Sequence, residues 1–395
     1  MRLAYLDPNP VPGLGPPQIQ ILYTVDGLAR AGFQVVLMTP RPIDGTSDAM
    51  VLGRAMHPNV TTHYLPNLRK RWWLPSGSSR IFYRMATRAV TRLDVEIVLV
   101  RNLKMADRLL QEPGCPPLFF ETHEVFAQTF RENYDLTNAR NKRRLSSLID
   151  REHYVYANAR GIFALTRSLE NDLRKEYGFH TPTEVLPDGV DISQMDAAPE
   201  IAVTMQERTV LYLGSLHPWK GVEVVVRAIS EVPNARLKIV GGTRDRIGAL
   251  RILAKALGVA ERVDFVGQVP PNRRFDYIKP ATVCVLPLTR KSIASRYTSP
   301  LKLFEYMAAG KAIVVSDLPS MREVITDGVH GLMVAPEDPH ALAGAIRRLL
   351  EDRPLRDRLG DAARRLAEGY DWKQRALRIM DFVSQVLRAN PGSAP

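Results

Sequence analysis

Short apolar runs, each followed by a stretch of helical periodicity, recur from one end of this chain to the other. In the first half these runs are RLAYLD, QVVLMTP, VEIVLV, PLFFETH, GIFALT and TEVLP. In the second they are TVLYLGS, RLKIVGG, VDFVGQ, TVCVLPL, KAIVVSD and GLMVAP. Segments such as IQILYTVDGLARAG and HALAGAIRRLLED lie between them. Strands that alternate with helices build parallel sheets covered on both faces, so the fold class is α/β and doubly wound.

The two halves echo each other. RLAYLDPNPVPGLGPP and VLYLGSLHPWKG both run strand, Gly/Pro loop, helix. At 395 residues the chain is long for one core and sufficient for two. The stretch PDGVDISQMDAAPEIAVTMQER lacks strand patterning and reads as the connection. The chain therefore divides into an N-terminal Rossmann-like domain over 1–190, a linker over 191–208 and a C-terminal domain over 209–372. A last helix over 373–395 is expected to pack back toward the N-terminal domain. Two such domains are expected to face a central cleft, because ligands bind outside the carboxyl ends of parallel strands. The loops at those ends are Gly13 to Pro17, His123–Glu124, Ser215 to Gly221, Gly241–Gly242 and Ser295 to Pro300.

One stretch raises a specific question. TSPLKLFEYMAAGKAIVVSD, Thr298 to Asp317, reads as a helix and then a buried strand. Thr298 or Ser299 suits the N-cap, Pro300 the first helical position and Gly310 the stop. Leu301, Phe304 and Ala308 recur at helical spacing, and Leu303 and Met307 widen the stripe. Glu305 borders that stripe, where a carboxylate is costly without hydrogen-bond donors. A local cation such as Lys302 or Arg322 could serve. So could the hydroxyls of a ligand, with the helix N-terminus facing an anion.

Charge and cysteine content narrow the classes further. Only Cys115 and Cys284 are present, too few for a disulfide framework. The N-terminus lacks the apolar stretch of a leader, and no run approaches the roughly 18 apolar residues that span a bilayer. A cytoplasmic protein is expected. The net charge of +12 favours anionic partners. Basic residues concentrate in LRKRWWLPSGSSRIFYRMATRAVTRL, which carries Arg69, Lys70, Arg71, Arg80, Arg84, Arg88 and Arg92 with Trp72 and Trp73 and no acid. That run fits either an anionic membrane surface or a solvated helix with buried indoles. It belongs to no recognised nucleic-acid module, so no nucleic-acid partner is expected. No G-x-G-x-x-G follows the first strand, which argues against a dinucleotide oxidoreductase. No Asp-x-Asp pair stands out as a metal site.

Taken together, SPLKLFEYMAAGKAIVVSDLPSMREVITDGVHGLMV, VLYLGSLHPWKG, VLPDGVD and ETHE resemble the motifs of retaining glycosyltransferases of the GT-B fold, family 4 (group 1). The resemblance extends over essentially the whole chain. It implies transfer of a hexose-type sugar, with retention, from a UDP- or GDP-sugar to an acceptor hydroxyl, in the synthesis of cell-envelope glycan or glycolipid. The acceptor would be lipid-linked, a glycan or a small molecule. It implies no metal and no cofactor beyond the nucleotide-diphosphate sugar as co-substrate. By position, Glu305 would hold the ribose hydroxyls and Lys220 the diphosphate. His123 would lie near the transferred sugar. The backbone at Pro300 and Leu301 would contact the diphosphate, and that around Val269 the base. Gly13 and Gly15 would form the N-domain loop. Thr298, Ser299 and Lys302 complete the donor-binding set. Three positions depart from the pattern. Tyr297 stands where the family has a second glutamate, Ser215 where it has arginine, and Gln20 where many relatives have histidine. Another cation, among Arg290, Lys291, Arg296 and Lys302, could stand in for that arginine. A non-catalytic nucleotide-sugar binder or scaffold and a sugar-nucleotide epimerase are the rival classes.

Overall fold

The computed structural model describes residues 1–42, 45–67, 79–199 and 208–389. These form two compact units, Met1–Pro187 with Trp372–Pro395, and Asp188–Asp371. Both are α/β, each built on a wholly parallel sheet.

The first unit holds β1 (Arg2–Leu6), β2 (Gln34–Pro40), β3 (Val60–Leu65), β4 (Ile97–Val100), β5 (Leu118–Thr122), β6 (Gly161–Ala164) and β7 (Thr183–Val185). They lie in the order β3-β2-β1-β4-β5-β6-β7, all parallel. Strands β4, β5 and β6 are buried along their whole length, which is why they read as unbroken apolar runs. Strand β3, VTTHYL, is absent from the runs read in the sequence. It is an edge strand with alternately exposed residues, so its polar positions mask the strand pattern. The last helix, Trp372–Ala389, belongs to this unit. Its Trp372 ring stacks on Tyr23 of the helix Pro16–Arg30 with centroids 5.7 Å apart.

The second unit holds β8 (Thr209–Leu213), β9 (Arg236–Val240), β10 (Val263–Gly267), β11 (Val283–Leu286), β12 (Ala312–Ser316) and β13 (Leu332–Val334). Their order is β10-β9-β8-β11-β12-β13, again all parallel. Successive strand residues feed opposite faces. Val210 and Tyr212 enter one core cluster and Leu211 the other. Cys284 is a free, buried thiol in the second cluster, with burial pushing its pKa up to about 12.

The interdomain segment needs correction. The chain passes from one unit to the next at Pro187–Asp188, and residues 188–199 are part of the second unit rather than a linker. Asp191 caps a helix, Ile192–Ala197, by accepting from Gln194 N at 3.0 Å. Val190 bridges to Asp371, and Asp196 pairs with Arg364 at 2.9 Å. Such side-chain capping is easy to overlook where strand patterning is absent. Residues 200–207 of the expected linker lie outside the described residues, as do Arg69, Lys70, Arg71, Trp72 and Trp73. Among the described residues, no helix is long and apolar enough to cross a membrane.

Candidate functional site

In the second sheet the strand order reverses between β8 and β11, and open α/β sheets bind ligands at such a point. The loop after β8 is placed there by its glycines and by β11. Gly214 has φ +137°, and a Cβ on it would collide with Lys302 Nζ. A tight turn, Pro218–Lys220, follows, and Gly221 closes it at φ +69°. The Gly221 backbone passes so near the Pro287 carbonyl that no side chain fits. Thr289 N donates to Trp219 O at 3.0 Å and fastens the turn to the segment after β11. Lys220 Nζ rests 3.5 Å from the centroid of the Trp219 ring, and no carboxylate pairs with it among the described residues. Burial brings its pKa down to about 7.

Across this turn begins the helix Leu301–Ala308. Neither Thr298 nor Ser299 caps it, contrary to the sequence expectation. Its N-cap is Pro300, without a side-chain bond, because Ser299 Oγ instead accepts from Asp188 N at 2.8 Å. The first-turn amides therefore point out of the helix without a side-chain acceptor, as at an anion site. Lys302 is buried. Its Nζ donates to Tyr212 Oη at 3.1 Å, and Tyr212 Oη donates to Ser215 O at 2.6 Å. Glu305 is buried as well, and its partner is neither of the cations named from sequence. Arg274 Nε lies 2.7 Å from Glu305 Oε1, both side chains being enclosed. Arg322 is turned to Asp317 at 2.5 Å. Burial raises the Glu305 pKa, opposed by Arg274 and Lys302.

The remaining expected positions are scattered in role. Ser215 contributes its carbonyl to Tyr212, as above. Tyr297 is buried in a short helix, Ala294–Tyr297, and Thr298 ends that helix. Val269 packs its side chain on the core cluster below β11. Arg290 N donates to Glu337 Oε1 at 2.8 Å and Lys291 N to Thr289 Oγ1 at 3.3 Å. In the first unit Gly15 is the N-cap of the helix Pro16–Arg30, and a Cβ on Gly13 would lie 2.9 Å from Gln18 Cγ.

The first unit carries its own constellation at the carboxyl ends of β4 and β5. Glu121 is fully buried. Its Oε1 accepts from Gln20 Nε2 at 2.5 Å and from His123 Nε2 at 2.9 Å, with Arg375 Nη2 at 3.2 Å. Because a carboxylate only accepts, His123 carries its proton on Nε2, and Nδ1 accepts from Arg101 Nη2 at 3.3 Å. Arg101 also donates to Gln20 Oε1. Burial would raise the Glu121 pKa, but Arg375, His123 and Arg101 outweigh it and hold the carboxylate ionised. Burial and then Arg101 lower the His123 pKa to about 4, so the imidazole is neutral at pH 7. Of these residues the sequence pattern points to His123 and not to Glu121, Arg101 or Arg375. Only Glu121 left a signal, as a charge inside the apolar run LFFETH.

No three His, Cys, Asp or Glu side chains converge as a metal site among the described residues.

Residues 18–194 match the family described as Glycosyltransferase Family 4, and residues 207–352 match Glycosyl transferases group 1. A D-inositol 3-phosphate glycosyltransferase of Xylanimonas cellulosilytica is 29% identical over 257 residues, 61% of this chain and 60% of the relative. The match thus spans about three fifths of that relative's length. Among solved structures, sucrose-phosphate synthase from Thermosynechococcus elongatus superposes with TM-score 0.78 at 21% identity, over 98% of this chain and 100% of the other. HepE from Anabaena, solved with UDP-glucose, superposes with TM-score 0.72 at 16% identity, over 98% and 100%. The two family matches take in most of the chain, its fold is GT-B, and the chain belongs to the group 1, family 4 glycosyltransferases.

Proposed function

We propose that the protein transfers a hexose-type sugar, with retention, from a nucleoside-diphosphate sugar to an acceptor hydroxyl, without a metal ion. The observation that carries this reading is the second-unit site. There Lys220, without a carboxylate partner among the described residues, lies close to Lys302 at the uncapped start of the helix Leu301–Ala308, which also carries the buried carboxylate Glu305. Lys220 and the helix amides suit a diphosphate leaving group, whose charge grows as the sugar–phosphate bond breaks. Glu305 would accept hydrogen bonds from a diol. The acceptor oxygen bonds to the anomeric carbon as the bond to the diphosphate oxygen breaks, and the departing phosphate takes the acceptor proton. This fits a protein whose conspicuous histidine has both nitrogens engaged and a pKa near 4. The UDP-glucose bound by HepE makes UDP-sugars the first donors to try, and GDP-sugars the second.

A thermal-shift panel of UDP-, GDP- and ADP-sugars tests the donor. Ligand at 100 times its Kd stabilises by about 2.7 kcal/mol, a visible rise in Tm. Turnover of the stabilising donor should then persist in EDTA and yield the product with unchanged anomeric configuration. Loss of activity on chelation, with rescue by magnesium or manganese, refutes the metal-free mechanism. Binding without turnover against any acceptor favours a sugar-nucleotide binder instead.

For the acceptor, we propose an anionic, lipid-linked glycan or lipid headgroup at the cytoplasmic face of a membrane. The helix Ser79–Val90 turns Phe82, Ala86 and Val90 inward and exposes Ile81, Arg84, Met85 and Arg88 along one face. Cations interleaved with apolar side chains suit a bilayer interface. Each cation near an anionic leaflet adds roughly 1 kcal/mol, screened beyond about 8 Å at physiological salt. Vesicles containing anionic lipid should therefore sediment the protein at low salt, and the double variant Arg84→Ser, Arg88→Ser should bind roughly ten- to thirtyfold more weakly. Protein left in the supernatant at low salt would point to a soluble acceptor.

A further inference from the structure

We propose that Lys302, held in place by Tyr212, is a second cation of the diphosphate site and that Lys220 and Lys302 together form a receptor for a dianion. This inference rests on the nucleotide-sugar reading and names the residues that grip its leaving group. The charge inventory carries it. Four charged side chains gather around the start of the helix Leu301–Ala308: Lys220, Lys302, Arg274 and Glu305. Arg274 and Glu305 cancel as a buried pair, 2.7 Å apart. The two lysines remain without a carboxylate at hydrogen-bond distance among the described residues, and the Lys220 charge disfavours that of Lys302. Lys302 is buried and Lys220 half-buried, and a cation withdrawn from water without a carboxylate partner is costly, so a structure that keeps both in one site is completed by an anion of matching charge.

Geometry assigns Lys302 its part. The long side chain rises from the first turn of the helix and lies over the Tyr212 ring, with Nζ 4.2 Å from the centroid. Tyr212 Oη accepts from Nζ and donates to Ser215 O, which fixes the tip of the lysine against Gly214. Among the described residues one acceptor bonds to Nζ, so an ammonium at this place has two further protons to donate. Gly214 leaves the space that Nζ occupies, since any Cβ at that residue would collide with it. Thus the loop after β8 and the helix Leu301–Ala308 are shaped to each other around one amine. Tyr212 is the positioning residue, and Lys302 touches the phosphate.

A consequence follows for protons. Burial and the Lys220 charge depress the Lys302 pKa, while Glu305 opposes them; Lys220 itself lies near 7. A bound dianion favours the charged form of both amines, so binding takes up protons at pH 7 and above.

The test uses UDP, GDP and ADP as probes on the full chain, by calorimetry, with the nucleoside of the tightest binder as control. Lys302→Met preserves the length of the side chain and removes its charge. It should weaken the diphosphate roughly ten- to a hundredfold, the worth of one charge-assisted contact, and leave the nucleoside unchanged. It should also raise the Tm of the unliganded protein, because a buried amine with one hydrogen-bond partner is replaced by an apolar chain of similar length. For a lysine of merely structural value the same substitution would lower the Tm and leave the diphosphate affinity unchanged. Tyr212→Phe should give a smaller loss of diphosphate affinity. Titrations in buffers of different ionisation enthalpy should show proton uptake in the unaltered protein and less in Lys302→Met. Unchanged diphosphate affinity in Lys302→Met overturns this inference alone. If no nucleoside diphosphate binds the unaltered protein, the nucleotide-sugar reading falls and this inference with it.

Discussion

Lys220→Met is expected to lower transfer from the nucleoside-diphosphate sugar by roughly a hundred- to a thousandfold, the usual cost of removing one preorganised donor from the charge that develops in a transition state. The fold should survive. Lys220 lies in a turn held by its own backbone, Gly221 and the bond from Thr289 to Trp219, and among the described residues its Nζ meets the Trp219 ring and donates to no side chain. The same substitution changes the pH dependence of binding. With a pKa near 7 in the unliganded protein, Lys220 loses its proton as the pH rises, and the cation that attracts the diphosphate is lost with it. Affinity for UDP should thus fall between pH 7 and pH 9, by up to about tenfold per unit for one linked proton, and the fall should be shallower in Lys220→Met. Equal kcat/KM in the two proteins would remove Lys220 from the site.

Arg375→Met should be the most destabilising single change in the first unit. The guanidinium is buried and touches three separate elements. Its Nε donates to Pro187 O at 2.8 Å, its Nη1 to Thr24 Oγ1 at 3.4 Å, and its Nη2 lies 3.2 Å from Glu121 Oε1. Removing one member of a buried ion pair costs roughly 3–5 kcal/mol, because the other charge is left enclosed. Denaturant unfolding measures the loss. In the unaltered protein the Glu121 pKa is depressed, so its contribution is present above the unfolded-state pKa and is lost only as the pH falls through the lower folded value. Without Arg375, burial prevails and the folded pKa of Glu121 rises. Its contribution is then unfavourable above that raised value and is relieved on acidification. The deficit of Arg375→Met should accordingly shrink between pH 7 and pH 5. The further change Glu121→Gln should recover part of it at pH 7. A variant as stable as the parent would show that the pair contributes nothing net.

Glu305 shows how far local sequence carries. Its place beside an apolar stripe correctly marks a carboxylate in need of donors, since helical periodicity alone puts it against Leu301 and Ala308. The identity of the partner was not legible. Arg274 is distant in sequence and stands in NRRFDY beside Arg273, which pairs with Asp276 instead. Nothing in the local pattern distinguishes the two arginines. The pair also affects mutagenesis. Glu305→Ala would strand Arg274, so a loss of donor binding in that variant would mix chemistry with folding, whereas Glu305→Gln keeps the volume and an acceptor.

The sequence by itself determined the elements and their class. Buried parallel strands must be apolar throughout, and the helices that cover them must be apolar on one stripe, so β1, β2, β4 to β6 and β8 to β13 are written in consecutive residues. It also determined which loops lie at the strand ends, because glycines and prolines mark them. Where polar positions interrupt the run the signal failed, as at β3 on the sheet edge and at the short helix capped by Asp191. The tertiary structure alone decided which charges meet. Arg375 reaches Glu121, Arg274 reaches Glu305, and Lys302 reaches Tyr212 across separations that no periodicity spans. Charged side chains are long and surface-tolerant, so their sequence positions carry little information until packing encloses them. Then the cost of an unpaired buried charge selects the partner.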